Sequence, residues 1–569
     1  MNELKKIDWS IEKSKDNNDI LKINGLLIHS KFFPQKEASD FIFNDKNLIL
    51  IFGIGLGYHI NNIIKNNPHS IFIIFEPYHE ILKLSRRYIE DVFEENKDKI
   101  CILDALDSRV VYEFLDKKSF ITEHRLQIYS NLGYKKLLPE FEASFLKVVK
   151  TTIGIHTQNT FTESNFIPLW TKNFLYNMTN LDNLPLINPT RKKLKNNIAV
   201  IACAGPTLLY DLEIIKTYRD KITIFTVDTA LKTLLRYGIN PDFIVTLDAQ
   251  YYTMYDYDKK ISDETAVLMD AISTPEIVRI HKNIFFTVTG NIFLNNIIEY
   301  FFNFFKINFF GISTGGNVSD YAASLAMNFG FDKLYFAGLD LSYPLMQSHC
   351  IETPYYSRLV RNNNYYETVE TNLIKSLINR NAKKVPSRVK GNEIYTDFIL
   401  KNYADYFSKL SQNFNNIDLF YSKFDGLNLE GFITVDLLSM ISKNETKRFL
   451  WNELIEQKSV INIEKDKLIK FYNDLLNNIY KRALIFDELF KKTSFETDGA
   501  ERLNEWKKVV YEIFADFPFL RKFVLMTEII LQKKQVSEDS IIWFKHIGHK
   551  ILQSIYYIIR ILQKVLNRK

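Results

Sequence analysis

Apolar and polar positions alternate along the chain between short buried runs and longer amphipathic stretches. The densest example is Ile198–Gln250, which predicts strand, turn, helix, strand, helix, strand. Its strands are the apolar runs Ile198–Ala202, Ile222–Val227 and Phe243–Leu247, and each ends in a polar signal. The first stops at Gly205-Pro206-Thr207, where a glycine permits a tight turn and Thr207 is expected to cap the next helix. The second delivers Asp228 and the third Asp248. Ends of parallel strands share one edge, where ligands of open α/β folds bind, so the pattern predicts a small-molecule site built from a helix N-terminus and two carboxylates.

The same alternation extends to both sides. A preamble to about residue 45 holds one expected strand, Leu21–His29. The run Asn47–Phe52 then enters Gly53-Ile54-Gly55-Leu56-Gly57, followed by a helix, the strand Ile71–Phe75 and Glu76-Pro77. That spacing suits a nucleotide fold with an acid near a ribose, and it also arises where a helix packs tightly on a sheet. A strand at Ile100–Leu103 continues the βα rhythm, Arg125–Tyr176 reads as helical and connective, and Leu184–Lys195 reads as a linker.

Beyond Gln250, Tyr251–Asp258 is a loop or short helix, and Ala266–Met269 and Ile284–Val288 are strands. The loop Gly311–Asn317 leads into a small-residue helix, Val318–Phe329, whose start offers amides to an anion. The strand Lys333–Ala337 delivers Asp340, Ser342 and Tyr343, with His349 close behind. Tyr355–Val389 reads as a polar, tyrosine-studded excursion, Asn392–Leu410 as a helix, and Asp418–Phe432 as a last strand and turn. In the helical remainder, Ile551, Ile555, Ile558, Leu562 and Val565 form a seam that needs a partner helix, decorated by basic residues.

The fold class is therefore α/β: a Rossmann-like N-terminal domain over 1–185, a central α/β domain over 190–435, and a C-terminal helical bundle over 436–569. Charge narrows the function. With 73 basic against 67 acidic residues and a net charge of +6, the 569-residue chain is not built to coat nucleic acid. Cys101, Cys203 and Cys350 form neither a disulfide framework nor a zinc spacing, which suits a reducing cytoplasm. The charged N-terminus lacks a signal-peptide core and no apolar run reaches a membrane span. A cytoplasmic protein is expected, with at most peripheral contact through the basic C-terminal helix. Metalloprotease, Cys-x-x-Cys and Gly-x-Ser-x-Gly motifs are missing, leaving nucleotide-dependent group transfer. Asp228 and Asp248 can hold a divalent cation or accept bonds from ribose or sugar hydroxyls.

Five blocks in order and spacing carry a family resemblance: Ala204-Gly-Pro-Thr-Leu208, Thr226-Val-Asp-Thr-Ala230, Gly238–Phe243 with Val245–Gln250, Ser313-Thr-Gly-Gly-Asn317, and Ala337–Tyr343 with His349. They resemble the motility accessory factor (Maf) flagellin glycosyltransferases, as do Phe52–Tyr58 and Phe75-Glu-Pro77. The resemblance implies a central domain similar to bacterial sialyltransferases. It implies transfer of a nonulosonic sugar (pseudaminic, legionaminic or related) from a CMP-activated donor to flagellin Ser or Thr hydroxyls, with no required cofactor.

In that reading, amides around Gly205, Gly315 and Gly316, with Ser313, Thr314 and Asn317, stabilise the departing CMP phosphate. Pro206, Thr207, Asp228, Asp248, Gln250 and Ser342 hold the nucleotide and sugar, while His349 is the base, Tyr343 binds the leaving phosphate and Asp340 is the third catalytic residue. Two blocks depart from the family: Met346-Gln-Ser-His349 replaces Gly-Lys-Thr-His, and Phe424-Asp-Gly-Leu-Asn428 replaces Glu-Gly-Gly-Ala. The rival readings are an ATP- and magnesium-dependent pterin diphosphokinase-like enzyme and a non-catalytic flagellin-binding assembly factor.

Overall fold

A computed structural model describes the chain except residues 1–6, 44–46, 118–124, 188–193, 258–259, 290–294, 309–310, 414–416, 457–459, 493–507, 511, 518–519, 521–522, 524–540 and 569. One compact unit holds Met1–Ser164; a second holds Asn165–Thr527 and Asp539–Lys569.

In the first unit, β1 (Trp9–Lys13), β2 (Asp19–Ile23) and β3 (Leu26–Leu27) form an antiparallel sheet. The single strand expected at Leu21–His29 is thus a hairpin, turned by Asn24 and Gly25 at φ 45° and 81°, the Asn-Gly signal for a two-residue loop. The strands β4 (Asn47–Phe52), β5 (Ile71–Phe75), β6 (Ile100–Leu103) and β7 (Arg125–Ser130) form a parallel sheet in the order β6-β5-β4-β7. The strand β7 corrects the helical reading of Arg125–Tyr176. It is an edge strand that leaves Leu126 and Ile128 exposed, so its period-two pattern has no strong apolar face. Helix follows only from Leu132, and the long helix is Pro139–Met178.

In the second unit, ten strands form one sheet in the order β18-β17-β14-β9-β10-β11-β12-β13-β8-β19. In chain order these are β8 (Leu186–Ile187), β9 (Leu194–Ala202), β10 (Thr223–Val227), β11 (Phe243–Thr246), β12 (Ala266–Asp270), β13 (Ile284–Thr287), β14 (Phe331–Ala337), β17 (Asp418–Tyr421), β18 (Phe432–Thr434) and β19 (Val460–Ile461). All pairings are parallel except that of β19 with β8. The stretch expected as a linker therefore contributes β8 and the start of β9, while most of its basic run lies outside the described residues. The helix Val318–Phe329 packs on β9, β10, β11 and β14, and Ala322, Ala323, Ser324 and Ala326 allow that close approach.

The excursion Tyr355–Val389 is structured. It contains the helices Pro354–Arg361 and Val369–Asn379, capped by Thr353 and Thr368, and the strand β15 (Lys383–Pro386), which pairs antiparallel with β16 (Glu393–Thr396). The helix expected from Asn392 begins at Phe398. Buried positions in the excursion are few, Leu373 and Leu377 among them, so apolar periodicity could not reveal its helices. The C-terminal seam finds its partner within the chain: Ile551, Ile555, Ile558, Leu562 and Val565 are buried, and their helix Ile541–Leu566 packs on Lys465–Lys492. No helix among the described residues is long and apolar enough to cross a membrane.

Candidate functional site at the carboxyl edge of the central sheet

The order of the large sheet reverses at β9. The chain proceeds from β9 through β10, β11, β12 and β13 on one side, and β14 returns on the other. The crevice beyond β9 and β14 is thus the topological switch point, the usual ligand position in such sheets. Here two loops meet so closely that only glycine fits. A Cβ on Gly205 would lie 2.4 Å from the Gly338 carbonyl oxygen, and one on Gly338, at φ +74°, would lie 2.7 Å from the Cys203 carbonyl.

Asp340 ties this junction. Its buried carboxylate accepts from the Thr207 amide at 3.0 Å and from the Thr207 hydroxyl, and it faces the Arg388 guanidinium at 3.4 Å. Thr207 therefore does not cap the helix Leu208–Thr217, because its hydroxyl is bound to Asp340 instead. Arg388 also donates to the carbonyls of Phe424 and Leu339 at 2.6 and 3.0 Å and lies 4.4 Å over the Tyr421 ring. Nothing in the sequence singled out Arg388. Burial raises the Asp340 pKa, and the Arg388 charge and the Thr207 bonds oppose that rise. Ser342 is buried and donates to the Asp340 carbonyl.

Asp228 and Asp248 form a separate group at the ends of β10 and β11. Asp228 accepts from the Thr229 amide and the Thr246 hydroxyl, each at 2.8 Å, and burial together with the Asp248 charge raises its pKa. Asp248 is exposed and accepts from the Gln250 amide at 2.9 Å. At the end of β12, Asp270 is a further buried carboxyl that sequence reasoning passed over. It receives the amides of Ile272 and Thr289 and the Tyr321 hydroxyl, and burial pushes its pKa up to about 7. Its position just after an apolar run was the available signal, the same one that marked Asp228.

The loop Ser313–Asn317 is built around Asp320. Asp320 accepts from the Gly315 amide, the Thr314 hydroxyl and Asn317, and Asn317 returns a capping bond to the Asp320 amide. The Gly316 amide binds the Thr314 hydroxyl, and the Gly205 amide binds the Gly338 carbonyl, both at 3.0 Å. The amides of Gly205, Gly315, Gly316 and Asn317, expected to face a phosphate, are thus bonded within the protein. Ser313 is exposed, its hydroxyl 2.9 Å from that of Tyr406, whose ring covers Gly315.

Tyr343 is buried and donates to Asp397 at 2.5 Å; Arg380 faces the same carboxylate at 3.4 Å. His349 is half-buried, with Nδ1 2.9 Å from the Ser348 hydroxyl and its ring 5.1 Å from Tyr355. Burial and the charge of Arg380 push its pKa down to about 4, so the imidazole is neutral at physiological pH rather than poised near 6.5. Between Asp340 and His349 the backbone of Leu341, Leu345 and Met346 lies at φ 48°, 54° and 62°. Such conformations cluster where a loop is over-determined by its surroundings.

In the first unit, the glycine turn is filled by its own side chains. A Cβ on Gly53 would lie 2.3 Å from the Tyr134 ring, and one on Gly55 2.6 Å from His29 Nε2. Glu76, placed by spacing near a ribose, is fully buried and accepts from the Ile54 and Tyr78 amides; burial pushes its pKa to about 7. Behind the turn His29, Glu37 and His59 bring ligand atoms within 4.8 Å of one another. Their hydrogen bonds do not suit a metal. His29 Nε2 accepts from the Leu56 amide, so Nδ1 carries the proton donated to Glu37 at 2.9 Å. The triad braces the turn. A polar cleft of about 340 Å³ lies alongside, lined by Tyr58, Asn61, Asn62 and Tyr88 among others.

Comparison with known proteins adds to this geometry. A family model described as 6-hydroxymethylpterin diphosphokinase MptE-like matches residues 172–345, and one described as Glycosyltransferase Maf N-terminal domain matches residues 24–96. An uncharacterized protein of Treponema pallidum (strain Nichols) is 30% identical over 122 residues, 21% of this chain and 55% of its own length. The chain thus spans about half of that relative. A second uncharacterized protein from the same organism is 24% identical over 208 residues, covering 35% of this chain and 70% of its own. The solved MAf glycosyltransferase from Magnetospirillum magneticum AMB-1 shares the fold, with a TM-score of 0.60 at 12% identity over 98% of this chain and 92% of that one. Residues 24–96 thus match that family's N-terminal model, and the fold of a solved MAf glycosyltransferase is shared along the chain.

Proposed function

We propose that the protein is a glycosyltransferase that moves a nonulosonic sugar from a CMP-activated donor to Ser or Thr hydroxyls of flagellin. The observation that carries this reading is the switch point at β9 and β14 of a chain with the Maf glycosyltransferase fold, which gathers Gly205, Thr207, Asp340 and Arg388, with His349 in the loop that continues from β14. In the reaction the acceptor oxygen bonds to the anomeric carbon, the bond from that carbon to the CMP phosphate oxygen breaks, and the hydroxyl proton passes to His349. A base with a pKa of about 4 is weak. It suffices when the reacting carbon is oxocarbenium-like, because the hydroxyl turns strongly acidic once its oxygen has begun to bond.

In this reading Asp340 and Tyr343 are positioning residues, supported by their contacts: Asp340 accepts from the Thr207 amide beside the Gly205 turn, and Tyr343 ties the His349 loop to Asp397. Asp248 and Gln250, at the solvent side of the same edge, are the residues for nucleotide or sugar hydroxyls. A second reading has the match over residues 172–345 in its favour: an ATP-dependent diphosphokinase with magnesium held at Asp228 and Asp248.

Thermal shift separates the two. A ligand at about 100 times its dissociation constant stabilises a fold by ~2.7 kcal/mol. CMP is expected to raise the melting temperature without a metal, whereas a response to ATP with magnesium and none to CMP would overturn the transferase reading. His349→Ala is expected to keep the CMP response and lose the mass increase of flagellin; a full mass increase would remove His349 from the reaction.

A further inference from the structure

The excursion after β14 exposes what a free surface ordinarily hides. Its second helix, Val369–Asn379, buries Leu373 and Leu377 and turns Ile374 and Ile378 outward, the latter 71% exposed. Val360 on the first helix is 50% exposed, and the connecting loop carries Tyr365 and Tyr366 at 92% and 87%. The hairpin is not loose. The Cys350 amide binds the Ala204 carbonyl at its entry, the Tyr343 amide binds the Tyr395 carbonyl across it, and Arg388 locks its exit onto Asp340. A firmly anchored segment at the carboxyl edge of the sheet therefore holds an apolar and aromatic face in water.

Charge selects what covers that face. Residues 354–390 contain eight Lys and Arg against two Glu, an excess of +6, which equals the net charge of the whole chain. Lys375, Arg380, Lys384 and Arg388 have acidic partners. Arg358, Arg361, Lys383 and Lys390 have none among the described residues, and Arg358 lies 5.7 Å over the exposed Tyr252 ring. A second copy would oppose basic surface to basic surface, which costs affinity. Nucleic acid would answer the charge and stack on Tyr365 and Tyr366, but Val360, Ile374 and Ile378 offer it neither stacking nor hydrogen bonds. An acidic protein surface with apolar side chains at its centre matches both features.

We propose that the hairpin 354–379 docks the protein acceptor, through Val360, Tyr365, Tyr366, Ile374 and Ile378 at the centre and Arg358 and Arg361 at the rim. The inference rests on the reading of the protein as a transferase with a protein acceptor. Docking at the hairpin brings the acceptor to the edge where β9 and β14 end, and places specificity in the excursion rather than in the sugar-handling residues.

The test uses the full chain and purified flagellin as the probe, with binding followed by fluorescence anisotropy at about 50 and about 300 mM salt. Two variants are compared, Tyr365→Ser with Tyr366→Ser, and Ile374→Asn with Ile378→Asn, together with the charge reversal Arg361→Glu. Each is expected to weaken flagellin binding at least ~10-fold, with wild-type affinity falling several-fold between the two salt concentrations. The melting temperature of each variant and its shift with CMP are expected to match wild type. Equal binding by wild type and variants, or no binding by wild type, overturns the proposal. So does a wild-type dimer in sedimentation that the variants dissolve, or displacement of flagellin by single-stranded RNA. Failure of the transferase reading shows separately, as no response to CMP and no mass change in flagellin.

Discussion

Arg388 is the side chain whose loss reaches furthest. It satisfies carbonyls from two loops, covers Tyr421, and is the cation facing a carboxylate that has no access to water. Breaking a buried pair by removing one partner costs about 3–5 kcal/mol, because the remaining charge is left uncompensated. Arg388→Ala is therefore expected to lower the urea midpoint by the equivalent of ~3 kcal/mol or more. Arg388→Lys should recover only part of it, since an ammonium cannot reach the same spread of acceptors. An unchanged midpoint in the alanine variant would mean that the junction contributes nothing to stability. Asp340 was legible because a carboxylate after an apolar run marks a strand end. Arg388 was not, since it lies 48 residues away in a segment without periodicity and gains its role only when the excursion folds back. The same limit applies to Arg380 and Asp397, which decide the environment of His349 and Tyr343 from outside their own loop.

Among elements, strands of the central sheet were the most legible, since uninterrupted Ile, Val and Phe runs bounded by Gly, Asp and Pro admit few alternatives. The edge strand β7 and the excursion helices were not, because each leaves much of its apolar surface uncovered within its own sheet or hairpin. Glycine patterns were ambiguous in a different way: sequence cannot tell a glycine that admits a ligand from one that admits a side chain. Gly53 and Gly55 admit Tyr134 and His29, while Gly338 admits the backbone of the neighbouring turn. Gly338 and Gly316 test this distinction, both at positive φ, 74° and 95°, but only Gly338 crowded. Gly316→Ala should cost only the left-handed backbone term, ~1 kcal/mol. Gly338→Ala adds overpacking against Cys203 and Leu208 and should cost ~1–3 kcal/mol more. Equal urea midpoints for the two variants would refute the close approach of β9 and β14.

Across the whole molecule, buried carboxyls govern the response to pH. Glu76, Asp211, Asp270 and Asp320 all have their pKa pushed up to about 7, burial being the largest cause in each. Between the ordinary value near 4 and this raised value, the folded group holds a proton that the unfolded group has lost. Each therefore contributes stability that is fully present below about pH 4 and falls by ~1.4 kcal/mol per pH unit until about pH 7. Glu37 acts in the opposite sense. Burial pushes its pKa up, but the hydrogen bond from His29 and the neighbouring His59 ring prevail and bring it down to about 2, so its contribution is lost as pH falls from 4.5 toward 2. Asp211 isolates the first effect. Its Oδ1 accepts from Tyr335 at 3.0 Å, whereas its buried Oδ2 has no hydrogen-bond partner among the described residues, and the carboxylates of Asp436 and Asp340 raise its pKa further. Asp211→Asn keeps an oxygen for Tyr335 and removes the charge. The variant should match wild type in urea unfolding at about pH 4 and exceed it by up to ~3 kcal/mol at about pH 8, with a shallower decline between them. If wild type and variant decline in parallel across that range, Asp211 is not the group that loses its proton in the folded chain.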